Sequence, residues 1–116
     1  MFKNCSDLVS VTFNISKELL VNLKSCFEGC EKLETINWGD GFCNKNMTHT
    51  FRGCKSLQNI NLDRIDFSKS SAMNGIFRNC AKLQDVNFGS IKNLNLNTTF
   101  FTTDCSPNCE INLNEV

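Results

Sequence analysis

Tyrosine is absent from these 116 residues, and tryptophan, proline and histidine occur once each. A lone histidine, His49, leaves no imidazole pair to ligate zinc or to divide acid and base work, so histidine-built metal or catalytic centres find no support. Charge of one sign is missing as well: twelve Lys and Arg stand against twelve Asp and Glu, for a formal net charge of zero. Neutrality removes the simplest argument for a nucleic-acid partner. No run of about 18 apolar residues exists to cross a bilayer as a helix. The first residues also lack the basic-then-apolar plan of a secretory signal, so the expectation is a chain without membrane insertion or an export device of its own. The ten phenylalanines are aromatics of the purely apolar kind, which fill interiors and make a poor platform for bases.

What the chain does have is repetition. Cys5, Cys30, Cys54, Cys80 and Cys105 fall 24 to 26 residues apart, each at the same place in a recurring phrase. The phrases read M-F-K-N-C-S-D-L-V-S-V-T-F from Met1, C-F-E-G-C-E-K-L-E-T-I-N-W from Cys26, T-F-R-G-C-K-S-L-Q-N-I-N-L from Thr50 and I-F-R-N-C-A-K-L-Q-D-V-N-F from Ile76. A looser one, F-T-T-D-C-S-P-N-C-E-I-N-L, starts at Phe101. A period in this range is the signature of a solenoid, whose units bury their apolar sides against one another because none has a sufficient core alone. The array is expected to form a single domain over residues 1–116, with repeat cores 1–14, 25–38, 49–62, 75–88 and 101–113.

Counting back from the ladder cysteines gives Leu23, Cys26, Phe27 and Cys30, then Met47, Thr50, Phe51 and Cys54, then Met73, Ile76, Phe77 and Cys80. Offsets of i, i+3, i+4 and i+7 predict one face of a short helix of about two turns on each coil. Beyond the cysteine the spacing becomes L-x-x-I-x-L, as in Leu33/Ile36/Trp38, Leu57/Ile60/Leu62 and Leu83/Val86/Phe88. Its closing triplet has period two and predicts a very short strand with Thr12, Asn37, Asn61, Asn87 and Asn112 pointing outward. Turn-tolerant residues follow at once: Asn14, Gly39, Asp63, Gly89 and Asn114. The expected class is α/β, about five coils each with one short helix and one short parallel strand, rising roughly 4.8 Å per coil. Stretches such as Ile15 to Leu23 and Arg64 to Met73 are expected to close the coils as length-tolerant surface connections.

The repeated M-F-x-x-C-x-x-L-x-x-I-x-L phrase resembles the BspA-like leucine-rich-repeat surface proteins and their bacterial lipoprotein relatives. Residues 1–14, 25–38, 49–62 and 75–88 carry the resemblance closely, and 101–113 loosely, since Thr102 and Asn108 stand where Phe and Leu are expected. It implies a right-handed, leucine-rich-repeat-like solenoid without an active site or cofactor, displayed at a cell surface or secreted. It further implies use in adhesion or other protein contacts, with a partner such as a host or extracellular-matrix protein. The array opens inside a coil without a polar cap, which reads as a fragment or stripped remnant of a longer array, the alternative being a complete small protein.

Candidate sites divide by face. Side chains in stacked register sit near the strand spacing of about 4.8 Å, longer than the Cβ separation of about 3.8 Å usual in a disulfide, so the ladder cysteines are expected to be free, buried and inert. Cys105 and Cys109 lack the paired C-x-x-C of a zinc site. A catalytic thiol lacks a base. Lys3, Arg52 and Arg78, with Lys32, Lys55 and Lys82, suggest a basic stripe that Glu28 and Glu31 interrupt, and a solvated face is the expectation there rather than nucleic-acid binding. Sequons at Asn4, Asn14, Asn46 and Asn97 are read as incidental to an Asn-rich chain.

The strand face is the candidate binding surface: Glu34, Thr35 and Asn37, then Gln58, Asn59 and Asn61, then Gln84, Asp85 and Asn87. Its amides admit two roles, binding a protein or bonding to one another up the ladder in a structural spacer. Glu34 and Asp85 form a carboxylate pair across coils, which repeat alignment creates without catalytic purpose. Thr12 and Trp38 are the departures from the repeat in the strand region, Trp38 being a large ring among Leu and Phe.

Overall fold

The computed structural model describes residues 2–16, 18–69 and 73–89, and the backbone alone for Ser90 and 110–114. The fifth phrase therefore lies outside the described residues but for that last backbone stretch, and Cys105, Cys109 and Asn97 lie outside them altogether. The strands are β1 (Ser10–Thr12), β2 (Leu20–Asn22), β3 (Thr35–Asn37), β4 (Phe42–Asn46), β5 (Asn59–Asn61), β6 (Ile65–Asp66), β7 (Asp85–Ser90) and β8 (Glu110–Asn114). All the pairings among them are parallel. One face carries β1 beside β3 and, separately, β5 beside β7 and β8; a second face carries β2, β4 and β6 in that order. Register follows the repeat, with Val11 opposite Ile36, Ile60 opposite Val86 and Val86 opposite Ile111. The second face occupies stretches expected only to close the coils, and its period-two burial is visible in β4, where Phe42 and Asn44 are buried and Lys45 is exposed.

The expected helix is overturned: among the described residues there is none, so the α/β assignment with one helix per coil is wrong. Residues 23–30, 47–54 and 73–80 are successive turns instead. The amides of Cys26, Glu28 and Cys30 donate three residues back, to the carbonyls of Leu23, Ser25 and Phe27, while those of Ser25, Phe27 and Gly29 donate to Thr48, Thr50 and Arg52 on the next coil. Thr50, Arg52 and Cys54 repeat the first pattern, and His49, Phe51 and Gly53 the second, reaching Asn74, Ile76 and Arg78. An α-helix needs its amides to bond four residues back, so a segment that sends alternate amides sideways cannot be one. Left-handed backbone makes the same point: φ is 55° at Ser25, 77° at Gly29, 56° at His49 and 76° at Gly53. A non-glycine residue rarely adopts this conformation, and it interrupts any right-handed helix.

The inward positions nevertheless come out as the spacing predicts, because consecutive three-bond turns return to the interior every three or four residues, as a helix does. Phe27, Cys30, Phe51, Cys54, Phe77 and Cys80 are fully buried. The phenylalanine rings form a column, Phe2 on Phe27 at 5.5 Å, Phe27 on Phe51 at 5.7 Å and Phe51 on Phe77 at 5.6 Å, each pair within 10° of parallel. Beside it the thiols of Cys30, Cys54 and Cys80 each donate to a carbonyl of the preceding coil, those of Phe2, Phe27 and Phe51, at 3.0, 3.3 and 3.0 Å. Cysteine, a small apolar side chain with a weak S–H donor, suits a buried position of this kind. Thr50 makes the corresponding bond from its hydroxyl to the Leu23 carbonyl at 2.9 Å.

Candidate interaction face

Two columns of capped turns hold the strands in place. The side-chain oxygen of Asn37 accepts from the Gly39 amide at 2.9 Å, that of Asn61 from Asp63 at 3.1 Å and that of Asn87 from Gly89 at 2.9 Å. On the second face Asn22, Asn46 and Asp66 accept in the same way from Lys24, Thr48 and Ser68. These are Asx turns, in which a short side chain bonds the backbone two residues on. The recurrent asparagines thus use their oxygens within their own coil, not as acceptors in a side-chain ladder between coils.

The strand face is discontinuous between its second and third coils. Elsewhere the residue after the outward Thr12 or Asn61 passes its amide to the next coil, Phe13 to the Asn37 carbonyl at 2.8 Å and Leu62 to the Asn87 carbonyl at 2.7 Å. At the junction between them the Asn61 carbonyl is taken by the indole Nε1–H of Trp38 at 3.0 Å. A side chain reaches farther than its own backbone, so β3 and β5 stand apart and belong to different sheets. Trp38 itself is buried, stacked on Phe13 at 5.2 Å and edge-on to Phe42 and Phe51.

The separation opens a cleft of about 350 Å³ lined by Glu34, Thr35, Ile36, Leu57, Asn59, Ile60, Asn61, Asp85 and Asn87. A smaller hollow of about 260 Å³ shares Glu34, Thr35 and Asn59 with it and extends over Ser56 and Gln58. Six of the nine residues singled out from the sequence meet in the cleft; Gln58 lies in the hollow, and Asn37 and Gln84 line neither. The apolar floor, Ile36, Leu57 and Ile60, went unassigned because those residues occupy core positions of the repeat. Ile36 is only half-buried where its counterpart Val86 is fully buried, a direct effect of the opening.

At the corner between turns and strands the basic stripe is interleaved with acids. Lys32 meets Asp7 at 3.1 Å, Lys55 meets Glu31 at 3.2 Å, and Glu28 lies between Lys3 at 3.7 Å and Arg52 at 3.9 Å. Pairs at or near the surface like these contribute little stability but cancel the local field. The six described cysteines are free. Burial pushes the thiols of Cys26, Cys30 and Cys54 above their ordinary range, because desolvation disfavours the thiolate, the nucleophilic form. Among the described residues no group of three or more His, Cys, Asp or Glu could hold a metal ion, and no helix is long and apolar enough to cross a membrane.

A family model for the BspA-type leucine-rich-repeat region matches residues 1–113 in six copies, one more than the five units marked by the cysteines. The chain belongs to the BspA-type leucine-rich-repeat family. Membership of this family makes it a repeat module of the kind that mediates protein–protein contacts, a class generally without catalysis. No curated protein matches the chain, and no solved structure does.

Proposed function

We propose that residues 1–116 act as one noncatalytic module that binds a protein partner through the strand face, using Glu34, Thr35, Asn37, Gln58, Asn59, Asn61, Gln84, Asp85 and Asn87. The observation that carries this reading is the break at Trp38, which converts a regular ladder into a cleft with an apolar floor and polar walls. Binding sites combine those two elements, apolar area for affinity and a few polar groups for orientation. Adhesion at a cell surface, to a host or matrix protein, is the finer reading that the family resemblance supports. The spacer alternative has the Asx turns in its favour, since they give Asn37, Asn61 and Asn87 a structural task.

A photo-reactive amino acid at position 59 should crosslink the partner, and the same group at position 55 should not. With that partner immobilised, replacing Thr35, Gln58, Asn59 and Asp85 together by alanine should abolish binding with an unchanged far-ultraviolet spectrum, because none of them caps a turn. Replacing Lys55, Arg78 and Lys82 should leave binding intact. The reverse result would move the interface to the corner, and no specific crosslink from position 59 would favour the spacer.

A further inference from the structure

We propose that the cleft between β3 and β5 takes an extended basic segment of a partner protein, with one lysine or arginine side chain lying along Ile36 and Ile60 and its cationic head between Glu34 and Asp85. This rests on the strand-face reading and adds the chemistry of the occupant.

The charge of the cleft is one-sided. Among the described residues two carboxylates line it and no lysine or arginine does, in a chain whose two signs are equal in number. The described ion pairs engage Asp7, Glu28 and Glu31 at the corner, so Glu34 and Asp85 are left out of that neutralisation. They stand two coils apart, so at least about 10 Å along the stack at the paired-strand rise of about 4.8 Å per coil, the open junction between β3 and β5 adding to that. A cation held between them lies within the screening length of both, about 10 Å at 0.1 M salt. An acidic occupant would be repelled by both.

Shape narrows the occupant further. The volume of about 350 Å³ sits at the lower end of the range for small-molecule sites, the size of a side chain with part of its backbone. A floor of isoleucine and leucine beneath acidic walls suits an amphipathic side chain, whose methylene stem covers apolar surface while its head stays hydrated. Thr35 and Asn59 lie at the rim on either side of the break and offer hydroxyl and amide groups to an extended backbone.

Trp38 provides the readout, being the sole tryptophan and bonded to the Asn61 carbonyl beside the cleft. The probe is a blocked pentapeptide, Thr-Val-Arg-Val-Thr, with a second in which neutral citrulline replaces arginine. The arginine peptide should shift Trp38 emission saturably, and its affinity should fall between about 50 and about 300 mM salt. The citrulline peptide, or a Glu34→Gln, Asp85→Asn double variant, should bind about tenfold more weakly. Equal binding of the two peptides, an unchanged affinity in the double variant, or no saturable signal up to about 10 mM overturns the proposal.

The crosslinked partner separates this inference from the reading beneath it. If Asn59→Phe abolishes partner binding and the double variant weakens it, both stand. If Asn59→Phe abolishes binding while the double variant leaves it unchanged, the strand face binds and the basic occupant is wrong. If neither variant alters binding, both readings fall.

Discussion

Residues 23–30, 47–54 and 73–80 build one side of each coil, residues 34–37, 58–61 and 84–87 build another, and the two sides stack by different means. The turn side repeats regularly: each of these three segments adds a phenylalanine to the ring column and a thiol bonded to a carbonyl of the coil before it, and alternate amides of 23–30 and 47–54 pass to the next coil. The strand side follows one rule at its first junction, another at its second and the first again at its third, because Trp38 substitutes its indole for a backbone amide. Regularity marks where the array is held together; the departure at Trp38 marks where there is room for something else.

The sharpest way to break this contrast is to remove a ring from the column. Phe51 is fully buried between Phe27 and Phe77, so Phe51→Ala should lower stability by roughly 3 to 5 kcal/mol, read from the denaturant midpoint at unchanged slope. A loss below about 1 kcal/mol would mean that the column is not what holds the coils.

Alkaline pH tests the thiols of the same side. The folded pKa values of Cys26, Cys30 and Cys54 are raised by burial, so above the ordinary thiol pKa the unfolded chain binds fewer protons than the folded one. Stability is then fully present below that pKa and declines as pH rises through it, by up to about 2 kcal/mol between pH 8 and pH 9 for three thiols. A denaturant midpoint constant over that interval would show that the thiols ionise without unfolding.

Gly53→Ala distinguishes turns from a helix by sign. In a helix the change should stabilise by up to about 1 kcal/mol. At a φ of 76° it should instead cost roughly 1 to 2 kcal/mol, although the added methyl would meet nothing closer than the Gly29 backbone at 3.7 Å. Any stabilisation would restore the helix.

The smallest effect belongs to the strand side. Trp38→Phe keeps a ring on Phe13 but removes the donor to Asn61, with an expected loss of about 1 kcal/mol. The informative measurement is hydrogen exchange at position 38: with the indole gone its backbone amide should approach the Asn61 carbonyl and exchange more slowly. Unchanged exchange would dissociate the indole from the break in the ladder.

Much of this was legible in the residues and some was not, for identifiable reasons. The parallel register, the inward Ile36, Ile60 and Val86 and the outward asparagines follow from period-two alternation repeated at fixed spacing. The helix misreading arose because Leu23, Cys26, Phe27 and Cys30 have the same inward spacing in successive turns as in a helix. The distinguishing signal was present at Gly29 and Gly53, glycines recurring one residue before the ladder cysteine, a position unsuited to a helix interior. The second sheet was hidden because Phe42, Ile65 and their neighbours lie where coil length varies and the phrase does not recur. Trp38 stood out as a departure from the repeat, but its consequence depended on which hydrogen atom, indole or amide, reaches Asn61, and sequence does not carry that distance.

The turn side and the second sheet both continue across the junction that the strand side leaves open, with Phe42 of β4 opposite Ile65 of β6 and Phe27 stacked on Phe51. Mechanically, the molecule is a spine with a slot cut into one edge. Tension applied across the strand face between residues 35 and 59 meets one indole hydrogen bond before it meets the ring column, whereas the same tension between 59 and 85 meets a paired ladder first. Pulled at those two pairs of points in a force-spectroscopy experiment, the chain should yield at lower force across the slot, and the lever arm from spine to strand face would convert a small tilt of neighbouring coils into a wider or narrower cleft.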